Sequence, residues 1–380
     1  MRKTTIVLAA MAAIAALSSC SNNKENASAP ASDVEPICQK YQRFLTDPEG
    51  YVVYRATGEI KVDGVLDEKT WENAPEITNF RDISGDGFPD PLYKTTAKIL
   101  WDDNYLYIGA ELDEPNVWAY LQKHDEVIYN DPDFEVFIDP DNDGQNYFEI
   151  ETNAIGTVFD LFIQKPYRCK TRAFVTFSWD APGMKLATKI NGTLNKPEDT
   201  DKGWAVEIAI PKEAIAAEFD NYLVAGNYLR LGFSRVEWQT EVIDGKVTRK
   251  CDAEGKRLPE FNWTWPATGM IAMHMPERWN YLYLSDKPAK SEIFEYPADH
   301  KIEKLLWGMY YAQDDALNEN GKYNCCVEQF NLTDAEKALL PEGTTLKVEA
   351  TTGKFEITAT KADGSSIRID ENGYILRNNK

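Results

Sequence analysis

The chain has 380 residues, of which 43% are hydrophobic and 27% charged, a balance typical of a globular protein and unlike that of collagen, coiled coils or wholly disordered chains. Asp and Glu number 62 against 41 Lys and Arg, which gives a formal net charge of −21. A surface of this sign repels a phosphate backbone, so we expect no nucleic-acid partner. Because a domain commonly takes ~100 to 200 residues, the length predicts two domains or one large domain with an appendage.

Residues 1–19 are predicted to be a lipoprotein signal peptide. Arg2 and Lys3 precede the apolar run 6–17, which is too short to cross a bilayer as a stable helix and is typical of an export signal. The run ends in Leu-Ser-Ser-Cys, which resembles the bacterial lipobox and implies cleavage before Cys20 and lipidation of Cys20. We therefore expect an exported protein that is lipid-anchored to the bacterial cell envelope, with the outer membrane as the expected location. An ordinary secretory signal with an incidental cysteine is the alternative.

Residues 20–50 are predicted to be the lipidated cysteine and a polar tether, since residues 21–32 are mostly Asn, Ser, Ala, Lys and Glu. The other cysteines are odd in number, so at least one stays unpaired within the monomer, and their pairing is left open: Cys38, Cys169, Cys251, Cys325 and Cys326. Their spacing gives no support for a zinc or thiol-redox site.

Residues 51–290 are predicted to form an antiparallel β-sandwich. Thr95–Trp101, an Asp-Asp-Asn turn and Tyr105–Leu112 predict a hairpin, because apolar residues alternate on both sides of the turn. One brief helical turn is expected around 212–217. Strands at short spacing favour a sandwich, and the further alternating segments are Asp133–Asp139, Tyr147–Asn153, Thr157–Ile163, Leu186–Thr193, Trp204–Ile210 and Tyr228–Val236.

Residues 291–380 are predicted to be a small α+β region of separate character. Asp299–Ala316 has apolar residues at helical spacing, and three strand-like segments follow it: Leu346–Ala350, Lys354–Thr360 and Ser365–Ile369. The sequence does not disclose a role for this region, and contact with other envelope proteins is one hypothesis.

Several motifs in series give the body of the chain a resemblance to a known family. They are VDGVLDE at 62–68 followed by Trp71, LWDDNYLY at 100–107, DFEVFID at 133–139, KGW at 202–204, FSRVEW at 233–238 and HMPERW at 274–279. In order and spacing this set resembles the family 9 carbohydrate-binding modules, which are grouped with the DOMON-like folds. The resemblance covers residues 51–285 and implies a β-sandwich that binds saccharides in polysaccharide catabolism.

Glu135 is the most informative candidate for a ligand contact. Phe134, Val136 and Ile138 take the inward phase of their strand, which leaves Glu135 on the opposite face. The resemblance implies that this acid lies in the sugar site and that Tyr129, six positions earlier, stands where the family has a stacking tryptophan. An aromatic ring packs on the C–H face of a pyranose while polar neighbours bind its hydroxyls.

The next strand departs from the family. Glu151 stands where the resemblance implies an arginine, with Asn153 on the same face, so the family's ligand preference should not be carried over. Further candidate contacts, each with a structural alternative such as a buried ion pair or a cap closing the sandwich, are Arg235, Trp238, Trp265, His274, Arg278 and Trp279.

Asp139, Asp141 and Asp143 have the alternating spacing of a calcium loop and are followed by Gly144. An EF-hand is excluded because Ile150 stands where a bidentate Glu is required. A structural Ca²⁺ is the hypothesis, supported by calcium binding elsewhere in the family, and a plain acidic hairpin turn is the alternative.

The motifs favour a non-catalytic, saccharide-binding lipoprotein of the cell envelope that needs no organic cofactor. The negative charge favours a neutral oligo- or polysaccharide as its partner. Two alternatives remain open: a glycoside hydrolase acting on O-glycosyl bonds through paired carboxylates, and a DOMON-like haem b redox protein using Met and His side chains near His274. New reducing ends or a Soret band would distinguish them.

Overall fold

The computed structural model describes residues 35–169, 173–216 and 222–378. The predicted signal peptide, Cys20 and the segment 21–32 lie outside the described residues. Within the described ranges, no helix is long and apolar enough to cross a membrane.

The first part of the chain is almost entirely β-structure. Its strands are β1 Gly50–Arg55, β2 Arg81–Asp82, β3 Thr95–Trp101, β4 Tyr105–Asp113, β5 Asp133–Asp139, β6 Tyr147–Asn153, β7 Val158–Ile163, β8 Val175–Thr176, β9 Lys185–Asn191, β10 Gly203–Pro211, β11 Tyr228–Glu237, β12 Thr240–Ile243, β13 Lys246–Arg249, β14 Phe261–Trp265 and β15 Asn280–Leu284. Short 3-10 turns lie at Lys69–Asn73, Ile128–Asn130 and Pro276–Arg278.

Two sheets face each other. The first has the order β8-β7-β6-β5-β11-β15, with β14 also pairing β11, and the second has the order β3-β4-β10-β9. β1 joins them, since residues 50–53 pair with β15 and residues 54–55 pair with β3. The main core lies between the sheets and takes alternate residues from both, as β-sandwich packing requires.

The predicted alternation is confirmed. Phe134, Val136 and Ile138 lie in the inter-sheet core, and the β3–β4 hairpin forms in the expected place. Trp101 is buried in the same core. The predicted helical turn after Pro211 is instead a hydrogen-bonded turn over the described residues 212–215.

Trp71 covers the outer face of the second sheet. Its indole N–H donates to Oε1 of Glu207 on β10 at 3.1 Å. Gly109 lies beneath it, where a Cβ would approach Leu66 to 2.5 Å and Trp71 to 3.3 Å. The close approach of the turn to the sheet therefore depends on glycine at this position.

The C-terminal region is the predicted α+β unit. It comprises α3 His300–Asn320, a 3-10 turn at Val327–Phe330, α4 Asp334–Lys337 and the antiparallel strands β16 Thr345–Ala350, β17 Phe355–Thr360, β18 Ser366–Asp370 and β19 Ile375–Asn378. The helix extends one turn beyond the prediction and ends at Gly321, whose φ of 69° suits a left-handed cap. β19 was not predicted.

Part of the predicted tether is structured. α1 Ile37–Lys40 and α2 Gln42–Leu45 place Ile37, Tyr41 and Leu45 in one hydrophobic cluster with α3. Their spacing of four residues puts them on one side of a helix. The helices approach closely because Gly308 has no side chain: a Cβ there would lie 2.7 Å from Ile37.

The C-terminal region is held to the sandwich by partly buried polar contacts. Arg377 on β19 pairs with Glu303 on α3 at 2.7 Å and donates to the carbonyl of Asn142 at 3.0 Å. The N–H of Ile375 donates to the carbonyl of Asp143 at 2.9 Å. Residues 36–380 accordingly form one structural unit.

Candidate functional site

A cleft of about 380 Å³ lies on the outer face of the first sheet. Its floor is formed by β5, β6 and β7, because every second residue of these strands points away from the sandwich core. Across the strands, Glu135 is paired with Glu151 and Phe137 with Glu149. The lining residues are Ile83, Val127, Tyr129, Glu135, Phe137, Glu149, Glu151, Phe159, Leu161, Tyr167, Phe177, Val236, Glu260, Asn262, Ile271, Ala272, Met273 and His274.

The floor carries three buried carboxyl groups, those of Glu135, Glu149 and Glu151. Burial raises the pKa of Glu135 to about 7. Burial, and then the negative charge of Glu135, hold the pKa values of Glu149 and Glu151 well above their usual range. Among the described lining residues there is no Lys or Arg to offset this charge. The cleft therefore offers hydrogen-bonding oxygens in a setting that disfavours an anionic ligand.

Three exposed aromatic rings stand at the cleft. The exposed fractions of Tyr129, Tyr167 and Phe177 are 39%, 50% and 60%. Phe177 stacks on Phe159 with ring centroids 6.4 Å apart, and Tyr167 lies edge-on to His274 at 4.2 Å. Flat apolar faces beside polar groups suit a ligand that has one apolar side and one hydroxylated side.

His274 forms part of the cleft wall. Its Nδ1 lies 3.0 Å from the hydroxyl of Tyr147, and Phe137 meets the ring edge-on at 5.6 Å. Burial lowers the pKa of His274 to about 3, so the imidazole is neutral at physiological pH.

The sequence of this domain identifies it. Residues 62–229 match the family described as carbohydrate family 9 binding domain-like. They belong to that family. The matched part of the family 9 domain runs from the turn before Trp71 to the start of β11 and includes the strands of the cleft floor.

Curated relatives of the family 9 domain are parts of larger enzymes. The chain is 30% identical over 155 residues to the exoglucanase XynX of Acetivibrio thermocellus, covering 40% of this chain and 12% of the relative. It is 29% identical over 154 residues to endo-1,4-beta-xylanase A of Thermoanaerobacterium saccharolyticum, covering 40% of this chain and 11% of the relative. The chain thus spans only about a tenth of the length of these relatives.

Solved structures similar to the family 9 domain include a carbohydrate-binding module of family 9 from Caldicellulosiruptor kristjanssonii in complex with cellotriose. The TM-score is 0.39 and the sequence identity 16%, and the match covers 66% of this chain and 100% of that one. A second is a putative carbohydrate-binding protein from Bacteroides uniformis, with a TM-score of 0.46 and 14% identity over 62% of this chain and 99% of that one.

Four of the predicted ligand contacts line the cleft of the family 9 domain: Tyr129, Glu135, Glu151 and His274. Tyr129 is held in place by its own main chain. Its N–H donates to Oε2 of Glu151 at 3.1 Å, and its carbonyl accepts from the indole N–H of Trp238 at 2.9 Å. Trp238 is itself buried, so it holds the main chain of Tyr129 and does not line the cleft.

Trp265 and Trp279 are not available as stacking platforms, contrary to the prediction. Trp265 lies in the inter-sheet core, stacked on Phe233 at 5.6 Å. Trp279 lies on the same outer face of the sheet as Phe137, against which it tilts at 5.6 Å. Both rings are buried, which leaves no free face for a ligand.

The two predicted arginine contacts are also structural. Arg235 is buried at the rim of the core and pairs with Glu114 and Glu237 at 3.2 Å and 3.1 Å, the ion-pair alternative that the sequence left open. Arg278 donates to the carbonyls of Phe44 and Thr46 at 2.9 Å and 2.8 Å. It therefore fastens the N-terminal segment rather than facing the cleft.

Asn153 shares a face with Glu151 but lies beyond the cleft. Its side-chain amide donates to the carbonyl of Leu121 and to Oδ2 of Asp131, both at 3.0 Å. Its oxygen accepts from the N–H of Thr157 at 3.1 Å. These bonds shape the β6–β7 turn, so Asn153 is a structural residue.

The rings of Tyr167 and Phe177 were not predicted from the sequence. Both lie outside the regular strands, in the segment around β8, where no periodicity indicates which way a side chain points. Glu149 was not predicted as a ligand contact, although it is in phase with Glu151 on β6.

The acidic turn after β5 brings the carboxylates of Asp139, Asp141 and Asp143 together, with one oxygen of each within 4.8 Å of the others. The N–H groups of Asn142 and Gly144 donate to Asp139 at 3.1 Å and 2.9 Å. Burial, then the charges of Asp141 and Asp143, hold the pKa of Asp139 well above its usual range. An all-oxygen donor set with excess negative charge fits a hard cation such as Ca²⁺.

Proposed function

We propose that this protein binds neutral oligo- or polysaccharides in the cleft of its family 9 domain and does not cleave them. The observation that carries the proposal is the set of exposed rings, Tyr129, Tyr167 and Phe177, above the buried carboxyl groups of Glu135 and Glu151. A pyranose can lay its C–H face on such a ring while its hydroxyls donate to the carboxyl oxygens.

The charge of the cleft supports a neutral ligand. Uronic acids and sulfated sugars would bring a negative charge toward a floor that already carries three carboxyl groups and whose described lining contains no Lys or Arg. The relatives in which a similar domain occurs are named as an exoglucanase and endo-1,4-beta-xylanases. Gluco- and xylo-oligosaccharides are therefore the first ligands to test.

The wider role we propose is retention of saccharide at the bacterial cell envelope in support of polysaccharide degradation and uptake. The anchor would be a lipid on Cys20, whose sequence context is that of a lipobox. Labelling cells with a radioactive fatty acid tests this anchor: the chain should be labelled and a Cys20→Ser variant should not be, whereas equal labelling of both would contradict it.

We also propose a structural Ca²⁺ at Asp139, Asp141 and Asp143. The turn lies between the sandwich and β19, since Asp143 accepts from Ile375 and Arg377 donates to Asn142. A cation there would offset the charge of three carboxylates and stiffen the junction between the two parts of the chain.

Calorimetric titration of the purified full chain with cello-, xylo- and acidic oligosaccharides tests the proposal. Modest binding of neutral oligosaccharides is expected, because a few rings bury little area against a small ligand. New reducing ends after long incubation would favour the glycoside hydrolase alternative, and a Soret band would favour the haem alternative. Preferred binding of uronic acids would contradict the proposed ligand class.

A further inference from the structure

A second group of carboxyl oxygens, separate from the acidic turn, lies at the edge of the cleft floor, where Asp133 is buried beside the cleft-lining Glu135 and Glu151. Asp133 and Glu135 lie two residues apart on β5 and therefore share a face, and Glu151 is the cross-strand partner of Glu135 on β6. One oxygen each of Asp133, Glu135 and Glu151 lies within 4.8 Å of the others. The position of this group is set by strand register and not by a flexible loop.

Two buried oxygens at this place lack the partners that buried polar atoms normally have. Asp133 is 0% exposed; its Oδ1 accepts from the N–H of Val236 at 3.2 Å, but Oδ2 has no hydrogen-bond partner among the described residues. Glu149, 4% exposed and lining the same cleft, likewise has an unpartnered Oε2. A buried oxygen that stays unsatisfied destabilises the folded chain.

Proton sharing alone does not account for the group. The side chains of Glu149 and Glu151 lie within hydrogen-bonding distance, so one proton can be shared between them. That proton does not reach Oδ2 of Asp133, which stays unpartnered. A cation satisfies several carboxylate oxygens at once and offsets their mutual repulsion.

The geometry fits a calcium-sized ion. Ca²⁺ binds oxygens at ~2.4 Å, so two oxygens on one ion can be at most ~4.8 Å apart. Asp133, Glu135 and Glu151 meet that limit without rearrangement of the backbone. Because Ca²⁺ takes 6 to 8 oxygen ligands and three side chains offer few of them, positions remain open toward the cleft.

We propose that Asp133, Glu135 and Glu151 hold a divalent, calcium-class cation in the cleft floor, and that hydroxyl groups of a bound saccharide complete its coordination. The second half of this proposal rests on the proposed function, whereas the cation site itself does not. Glu149 stands beside the ion and accepts from one of its bound hydroxyls or waters. Saccharide binding then depends on the cation.

The cation site is tested by counting bound Ca²⁺ per chain by equilibrium dialysis, without saccharide. Glu151→Gln should bind one Ca²⁺ fewer than the unaltered chain. If that variant does not fold, Asp133→Asn, which keeps the hydrogen bond from the N–H of Val236, should show the same loss. Glu111→Gln, an acid on β4 away from the cleft, is the matched control and should lose none. An unchanged count in both cleft variants would overturn the proposal.

Coupling to saccharide is tested by titrating a neutral oligosaccharide with Ca²⁺ or with EDTA. We expect EDTA to weaken binding at least tenfold in the unaltered chain and in Asp141→Asn, which carries an intact cleft floor. Binding that is equally tight in EDTA would overturn the bridging role of the cation. If no saccharide binds under any condition but Glu151→Gln still lowers the number of Ca²⁺ ions bound per chain, the proposed function is refuted and the cation site is supported.

Discussion

The indole N–H of Trp279 donates to the carbonyl of Met273 at 2.8 Å, and the ring is 0% exposed. Tyr147 meets the same ring edge-on at 5.2 Å. Trp279 is thus a support of the cleft and not a surface on which a ligand can stack.

Trp279→Ala should accordingly act on stability. Truncating a buried tryptophan costs ~3–5 kcal/mol in free energy of unfolding, through lost contacts and the cavity left behind. Urea unfolding followed by circular dichroism measures this cost. Trp279→Phe should lower the free energy of unfolding distinctly less than Trp279→Ala. A variant with unaltered unfolding but weakened saccharide binding would restore Trp279 as a ligand contact.

Arg235 should be needed to keep two buried acids in place. It pairs with Glu114 and Glu237, and removal of one member of a buried ion pair costs ~3–5 kcal/mol because it leaves a charge without a partner. Arg235→Met should lower the urea midpoint of unfolding strongly. Adding Glu237→Gln should recover part of that loss. If the double variant is as unstable as the single one, the ion pair is not the source of the loss.

Removal of Ca²⁺ should lower the melting temperature of metal-loaded protein. A cation present at ~100 times its Kd stabilises the folded state by ~2.7 kcal/mol. Asp143→Asn should diminish the effect of EDTA, because it withdraws one carboxylate from the turn to which β19 is bonded. A melting temperature that EDTA leaves unchanged would count against a structural cation at Asp139, Asp141 and Asp143.

His274 should make the domain less stable in acid. Its pKa is about 3 in the folded chain against an ordinary value of 6.5, because the ring is buried. Between these values the unfolded chain binds a proton at this position and the folded chain does not, so the free energy of unfolding falls as pH falls through that window. His274→Gln should flatten this dependence between pH 6.5 and 4, measured by urea unfolding; an unaltered slope would contradict it.

Strand periodicity made much of the cleft predictable. The alternation of Phe134, Val136 and Ile138 predicts that Glu135 lies on the outer face, and pairing with β6 brings Glu151 beside it. These inferences succeed because the side-chain direction in a strand repeats every two residues.

The errors have equally physical causes. Trp279 follows a 3-10 turn, where no two-residue period indicates its direction, and the loop at Met273 covers it. Tyr167 and Phe177 lie in irregular segments whose path depends on contacts with Phe159 and His274. The short helices of residues 37–45 are stable only because α3 covers their apolar side. Local composition does not contain this tertiary contact, and it therefore indicated a tether.

The most direct measurement of the central claim is a calorimetric titration of neutral gluco- and xylo-oligosaccharides into the chain and into Tyr129→Ala and Tyr167→Ala. Phe88→Ala is the matched control, since Phe88 is an exposed ring outside the cleft. Loss of a stacking ring should cost ~0.5–1.5 kcal/mol, a fall in affinity of roughly two- to tenfold, with the melting temperature unchanged. Equal affinity in all four proteins would contradict the account.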